Sequence, residues 1–165
     1  MAAKTLIILR HAKSSWNTPS ADLQRPLAER GIADATAAGA VLAGYDLDRV
    51  LCSTAVRARQ TWEHAVAGGA ACDDVDYSEA IYHAWPDELL GELRELGEDV
   101  ETALLIGHQP TLSDLVVELA RQSKKVDAVR ERFPTCALAV LTHKGPWQTL
   151  GRGNASLTRY EIPRG

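Results

Sequence analysis

The segment TLIILRHAKSSWN, residues 5–17, decides the fold class of this chain. Its apolar start is rich in β-formers and predicts a short buried strand over residues 4–9. That strand delivers Arg10 and His11 side by side at its carboxyl end, which is where open α/β sheets bind ligands. The pair suits phosphate, because a guanidinium presents a planar fork to an oxyanion and an imidazole can act as nucleophile or proton carrier.

Short apolar runs alternate with helical patterns along the rest of the chain. Further strands are predicted at residues 49–52, 75–77, 102–106 and 136–141. Helices are predicted at residues 27–43, 55–66, 85–96 and 112–121. The chain ends in a predicted hairpin, in which residues 147–150 and 157–162 flank GRGN at 151–154. This alternation predicts a largely parallel or mixed sheet with helices on both faces.

The composition is that of a soluble globular protein. The 165 residues are 45% hydrophobic and 24% charged, which predicts one domain over residues 1–165. No apolar run approaches the ~20 residues of a membrane span, so we expect no membrane contact and a cytoplasmic protein. A formal net charge of -4 argues against nucleic-acid binding. The widely spaced Cys52, Cys72 and Cys136 predict free thiols and no zinc site.

Three predicted strands end in residues suited to phosphate chemistry. The first gives Arg10-His11, the second is followed by STAVRARQT at 53–61, and the strand at 102–106 is followed by GHQP at 107–110. If these strands are parallel, their carboxyl ends share one edge of the sheet, and two imidazoles and at least two guanidiniums converge there. Each feature alone is commonly structural, but three at equivalent strand ends predict a phosphate site.

These motifs resemble the histidine phosphatase (phosphoglycerate mutase-like) superfamily, and within it the short SixA type of phosphohistidine phosphatase. The Arg-His pair, Ser-x-x-x-Arg-Ala-x-x-Thr at 53–61 and Gly-His-x-Pro at 107–110 occur in family order, and DLQRPL at 22–27 followed by Gly31 is also similar. The resemblance implies an α/β fold, namely a three-layer αβα sandwich with a mostly parallel central sheet. It implies a phosphatase that needs neither cofactor nor metal.

The resemblance also implies a role for individual residues. His11 would be the nucleophile that forms a phosphohistidine intermediate, and Arg10, Arg57 and His108 would complete the phosphate pocket. Asn17 matches a phosphate-contacting position of the mutase-like members. Additional candidates for phosphate contact are Ser14 and Arg25, whereas Arg59 is expected to be structural or peripheral, and His83 is a candidate for the rim.

The chain departs from the mutase branch at the general acid. Where many members have Arg-His-Gly-Glu, this chain has Arg-His-Ala-Lys, and no residue clearly matches the acid that protonates an alcohol leaving group. Glu79 is the nearest candidate, but its surroundings do not fit and a solvated residue after a strand is the favoured interpretation; Asp22 and Glu88 are weaker candidates. An alkoxide benefits from a general acid, whereas imidazole leaves readily from a labile N–P bond. The sequence therefore favours protein phosphohistidine, carried by a phosphorylated partner of the histidine phosphotransfer type.

Two other functions remain open at this point. A phosphomonoesterase for a small phosphorylated metabolite, such as a sugar phosphate or nucleotide, would require a working acid. A phosphate- or phosphoprotein-binding module without turnover would not require the paired histidines.

A separate basic cluster is explained either as a solvated helix face and loop or as a docking patch for an acidic partner; it comprises Arg121, Lys124, Lys125, Arg130 and Arg132.

Overall fold

A six-stranded mixed sheet forms the centre of the computed structural model, which describes residues 3–16 and 19–164. The strands are β1 (Lys4–Arg10), β2 (Arg49–Ser53), β3 (Val75–Ser78), β4 (Thr102–Gly107), β5 (Leu138–His143) and β6 (Ala155–Glu161). Their order across the sheet is β3-β2-β4-β1-β5-β6. The first four in this order are mutually parallel, and β5 is antiparallel to both β1 and β6. The predicted mostly parallel sheet is confirmed.

Helices cover both faces of the sheet, which makes the predicted three-layer sandwich. The helices are α1 (Glu29–Leu42), α2 (Val56–Ala67), α3 (Glu79–Tyr82), α4 (Pro86–Arg94), α5 (Thr111–Leu119) and α6 (Lys124–Glu131). One hydrophobic cluster joins α1 and α2 to one face, and a second joins α3, α4, α5 and α6 to the other. Among the described helices, none is long and apolar enough to cross a membrane.

Strand β1 shows why its sequence is apolar throughout. Successive side chains of a strand point to opposite faces. Leu6 and Ile8 accordingly pack into the cluster below α4 and α5, whereas Ile7 and Leu9 pack into the cluster below α1 and α2. All four are at most 2% exposed. A strand buried on both faces must be a near-continuous apolar run. The polar residues that follow this run therefore lie at the carboxyl ends of the parallel strands.

The predicted hairpin at the end of the chain is wrong. Trp147–Thr149 forms a 3₁₀ helix, and β6 pairs with β5. The cause is Trp147, whose ring is buried in the core and whose Nε1–H donates to the carbonyl of Val100 at 2.7 Å. A buried indole with a satisfied N–H fixes this segment against the loop before β4, so it cannot lie beside β6.

Candidate active site

The ends of β1, β2 and β4 meet at one edge of the sheet. Arg10 pairs with Gly107 in the parallel register of β1 and β4, and Cys52 pairs with Ile106 in that of β2 and β4. The next residue after each of β1 and β4 is therefore a histidine at the same level. The ring centroids of these two histidines lie 5.1 Å apart.

His11 is held as one tautomer of the neutral imidazole. Its Nδ1 lies 2.8 Å from the carbonyl oxygen of Ala12, and a carbonyl can only accept, so Nδ1 carries the proton. Nε2 is left with its lone pair. Burial, together with the neighbouring His108, Arg57 and Arg10, lowers the pKa of His11 to about 3 against the opposing effect of the Ala12 hydrogen bond. His11 is thus neutral and nucleophilic at neutral pH.

His108 is tied through its other nitrogen. Its Nε2 lies 2.8 Å from Ser53 Oγ, which also accepts a hydrogen bond from the N–H of Ala55 at 3.2 Å. When the Ser53 hydroxyl donates to Nε2, the ring proton resides on Nδ1. Burial lowers the pKa of His108 to about 4, with a further contribution from the Arg57 cation. His108 is therefore also neutral near pH 7, and its Nδ1–H can donate to an oxyanion.

The two arginines of the site are held by hydrogen bonds from their terminal guanidinium nitrogens. Arg10 Nη1 donates to the carbonyl of Phe133 at 3.1 Å. Arg57 Nη1 and Nη2 donate to the carbonyl and the carboxylate of Asp22, at 2.7 and 3.1 Å. The Nε–H donors of both arginines and Nδ1 of His108 are buried and have no hydrogen-bond partner among residues 3–16 and 19–164. Buried donors are normally paired, so these three unpaired atoms favour an anionic ligand.

A cavity of about 180 Å³ opens at this edge. Its size and its cationic wall suit a phosphoryl group. The described residues that line it include no Asp or Glu. They are Arg10, His11, Lys13, Ser14, Trp16, Arg25, Arg57, His108, Gln109 and Thr135.

The predicted residues of the loop after β1 reach this cavity in part. Arg25 Nη1 donates to Ser14 Oγ at 2.6 Å, and the Arg25 guanidinium stacks 3.5 Å from the centroid of the Trp16 ring. Ser14 and Arg25 are buried, whereas Trp16 is 71% exposed at the mouth. Asn17, the other candidate for phosphate contact, lies outside the described residues.

Of the three candidate acids, only Asp22 contacts residues of the cavity wall. Its carboxylate accepts hydrogen bonds from the Tyr82 hydroxyl, Arg57 and Arg25. The Tyr82 hydrogen bond, followed by the two arginines, lowers the pKa of Asp22 to about 2, so it is an anion that braces the arginines. Glu79 is exposed at the start of α3 and does not line the cavity. Glu88 accepts from the N–H of Trp85 at 2.9 Å and caps α4.

Several supports of the site were missed by sequence reasoning. Thr61 Oγ1 accepts from the N–H of Ala12 at 2.9 Å and donates to the carbonyl of Arg57 at 2.7 Å, which couples the nucleophile's loop to α2. A Cβ at Gly31 would lie 2.1 Å from the carbonyl oxygen of Lys13, so only glycine lets α1 approach this loop. Thr61 and Gly31 stand in the recognised motifs, which is the signal that could have found them.

The backbone of Cys136 holds the nucleophile from the other side. Its N–H lies 3.1 Å from the carbonyl oxygens of both Arg10 and His11. Its φ of 64° lies in the left-handed region, which is uncommon for a residue other than glycine. A backbone conformation of this kind beside a reactive side chain is typical of functional sites. It could not be predicted from the sequence pattern.

The remaining candidates lie away from the cavity wall. The Arg59 guanidinium stacks 4.5 Å from the ring centroid of Tyr77, in agreement with a peripheral role. His83 is exposed and packs edge-on against Tyr82 at 4.5 Å between centroids. Within residues 3–16 and 19–164, no group of three or more His, Cys, Asp or Glu side chains is placed to hold a metal ion.

Comparison with known proteins points to one family. The sequence profile of the histidine phosphatase superfamily (branch 1) matches residues 6–160. The uncharacterized protein Rv1276c of Mycobacterium tuberculosis is 42% identical over 162 residues, covering 94% of this chain and 100% of that protein. The structure of a putative phosphohistidine phosphatase SixA from Nakamurella multipartitia superimposes with a TM-score of 0.88 at 34% identity, covering 100% and 99% of the two chains. A second, from Agrobacterium tumefaciens, gives 0.80 at 29% identity, covering 96% and 97%.

Proposed function

This chain belongs to the histidine phosphatase superfamily (branch 1) and is a phosphatase, and we propose that it dephosphorylates protein phosphohistidine through a covalent intermediate on His11. The substrate is a phosphorylated protein of the histidine phosphotransfer type. The observation that carries the substrate is the wall of the cavity, which combines cations, imidazoles and hydroxyls and offers no carboxylic acid among its described residues.

The first step is transfer of the phosphoryl group to His11. The Nε2 lone pair forms a bond to phosphorus while the N–P bond of the substrate breaks. The substrate imidazole leaves with the electron pair of that bond and is neutral, because its other nitrogen carries a proton. His11 can attack because the Ala12 carbonyl keeps its own proton on Nδ1 and because burial keeps the ring uncharged.

The second step is hydrolysis of the intermediate. Water attacks phosphorus, the bond to Nε2 breaks, and the nitrogen regains its lone pair while orthophosphate carries both protons of the water. In both steps the three equatorial oxygens bear the developing charge. Arg10, Arg57 and His108 line the cavity beside His11, and each has a donor that finds no hydrogen-bond partner among the described residues, so these three side chains are placed to stabilise that charge.

The nature of the leaving group decides between phosphohistidine and phosphate esters. An ester needs a proton donor for its alkoxide, and the Asp22 carboxylate cannot supply one at neutral pH because its pKa is lowered to about 2. A phosphohistidine leaves as neutral imidazole and requires no such acid. The 34% identical relative from Nakamurella multipartitia, a putative phosphohistidine phosphatase, supports this choice of substrate.

The test is a substrate panel with the purified protein. Phosphohistidine peptide, phosphoramidate, a sugar phosphate and a nucleotide are assayed for phosphate release, with and without chelator. We expect kcat/KM to be highest for the phosphohistidine peptide and unchanged by chelator. Equal or faster hydrolysis of the esters would instead establish a small-molecule phosphomonoesterase, and Glu79→Gln would then show whether Glu79 is its acid. Binding without any release of phosphate would establish a binding module.

A further inference from the structure

A second cavity, of about 250 Å³, adjoins the proposed active site. Thr135 lines both cavities, and Cys136 lines the second. Since the N–H of Cys136 is bonded to the carbonyls of Arg10 and His11, the second cavity begins directly behind the backbone that holds the nucleophile. Thr135 is therefore the residue that separates the two cavities.

The wall of this second cavity, the arginine pocket, is cationic. Among the described residues, Arg30, Arg132 and Arg164 line it together with one carboxylate, Asp34, and the formal charges of these four side chains sum to +2. Asp34 is buried and pairs with Arg164 at 3.0 Å and with Arg30 at 3.7 Å. Over the part of the chain that the structure describes, the Arg132 guanidinium takes part in no ion pair. The pocket thus offers one uncommitted guanidinium to an anion.

A third, larger cavity of about 450 Å³ shares lining residues with the arginine pocket. Arg132 and Ile162 line both, and the third cavity adds Ala128 and the Tyr160 ring, with Glu131 as its acidic member. A cationic pocket between a phosphate site and a partly apolar groove suits a stretch of polypeptide. A small phosphorylated metabolite would fill the first cavity and leave the other two unused.

We propose that these three adjoining cavities form a docking track for the polypeptide next to the phosphorylated residue, and that the arginine pocket binds an Asp or Glu side chain of that polypeptide. The inference rests on the proposed function, because only a protein substrate carries such a flanking segment. It makes Arg132 a residue that determines specificity among phosphorylated proteins. Of the basic cluster noted in the sequence, Arg132 is the member that lines this track.

The experiment uses phosphohistidine peptides on the intact protein. One peptide has only neutral residues around the phosphohistidine, and the others carry a single Asp moved one position at a time along the peptide. The readout is the ratio of kcat/KM for the best Asp peptide to kcat/KM for the neutral peptide. We expect a ratio of about five for the wild-type protein, as for one partly exposed ion pair, and a ratio near one for Arg132→Gln.

Two further variants sharpen the result. Arg130→Gln removes the same charge from α6, but Arg130 is exposed and lines none of the three cavities, so its ratio should equal that of the wild type. Arg132→Glu should reverse the preference toward peptides with Lys in place of Asp. Reversal of the sign separates docking from a general loss of stability, which would lower the turnover of every peptide alike.

The outcomes separate this inference from the proposed function. A wild-type protein that hydrolyses phosphohistidine peptides with no preference for Asp at any position overturns the docking track and leaves the proposed function standing. The docking track is likewise overturned if Arg132→Gln keeps the wild-type ratio of kcat/KM between the Asp peptide and the neutral peptide. It is also overturned if Arg132→Gln loses as much turnover of phosphoramidate as of the Asp peptide. A wild-type protein that releases phosphate from esters but from no phosphohistidine peptide removes both.

Discussion

The ends of β1 and β4 present the same residue type at the same level of the sheet, but through opposite nitrogens. His11 is bonded through Nδ1 to a backbone carbonyl one residue away, which leaves Nε2 with its lone pair. His108 is bonded through Nε2 to the Ser53 hydroxyl, and its Nδ1 has no hydrogen-bond partner in the described part of the chain. The hydrogen-bond partner of one ring nitrogen, and not the residue type, therefore determines which histidine is the nucleophile and which is the hydrogen-bond donor.

Charge does not distinguish the two histidines. Burial is the largest cause of the lowered pKa in both, to about 3 for His11 and about 4 for His108, so both are neutral near pH 7. A neutral ring is what a nucleophile requires, and it is also acceptable in a donor. The predicted contrast between the two strand ends therefore lies in tautomer and geometry, and variants of each residue test it.

The largest effect is expected from His11→Asn. The Asn side chain can still donate to the Ala12 carbonyl in place of Nδ1, but it has no atom equivalent to the Nε2 lone pair. We expect kcat to fall by about 10⁴-fold or more, as for other catalytic nucleophiles, together with loss of acid-labile phosphate on the protein in rapid-quench experiments. Retention of the labelled intermediate would remove His11 as nucleophile.

A smaller loss is expected from His108→Gln. Gln can place an amide near the position of Nε2, where it still reaches Ser53, while the donor at Nδ1 is removed. The loss of one donor to the transferring phosphoryl group should lower kcat by about 10²- to 10³-fold. Acid-labile phosphate should still be trapped on His11. The contrast between the two strand ends would break if this variant lost the label and His11→Asn kept it.

Ser53→Ala should have a still smaller effect. It deletes the partner of His108 Nε2 and frees the ring to adopt the other tautomer, in which Nδ1 no longer donates. One hydrogen bond of about 1 kcal/mol corresponds to a loss of about five- to tenfold in kcat. The KM for phosphoramidate should change less than kcat, because the donor matters most in the transition state. A change confined to KM would contradict this role for Ser53.

The placement of the site at the sheet edge was predictable because it depends on local sequence. A strand buried on both faces must be apolar, so the run ending at Leu9 locates β1, and parallel pairing then brings Arg10, His11 and His108 to one edge. The alternation of strands and helices was sufficient to predict that pairing. The same local reasoning failed for Trp147, because a period-2 pattern cannot reveal that the indole reaches the Val100 carbonyl.

The braces of the site were not predictable because they join residues far apart in the sequence. The Tyr82 hydroxyl donates to Asp22, 60 residues earlier in the chain, and Thr61 accepts from Ala12, 49 residues earlier. Neither contact leaves a periodic signal. The consequence for Asp22 is large. The sequence makes it a candidate proton donor, but the hydrogen bond from Tyr82 and the neighbouring arginines lower its pKa to about 2, so it is a carboxylate at neutral pH.

The smallest expected difference between the two histidines is in acid stability. Each has a folded-state pKa below the ordinary 6.5, so as the pH falls through 6.5 the unfolded chain binds a proton that the folded chain does not. The free energy of unfolding must therefore decrease on the acid side and be fully regained above 6.5. Between pH 7.5 and pH 5, each histidine should account for about 2 kcal/mol of that decrease.

Urea unfolding of the wild type, His11→Asn and His108→Gln at pH 7.5 and at pH 5 measures this contribution. Each variant should lose about 2 kcal/mol less than the wild type over this interval, and the two variants should agree, because both rings stay neutral in the folded state at pH 5. The two variants should thus have equal effects on acid stability, whereas their effects on kcat should differ by tenfold or more. This result would show that the two histidines share an environment and differ in chemical role. A variant that keeps the full wild-type decrease would show that its histidine is already protonated in the folded protein at pH 5, and a nucleophile in that state could not attack phosphorus.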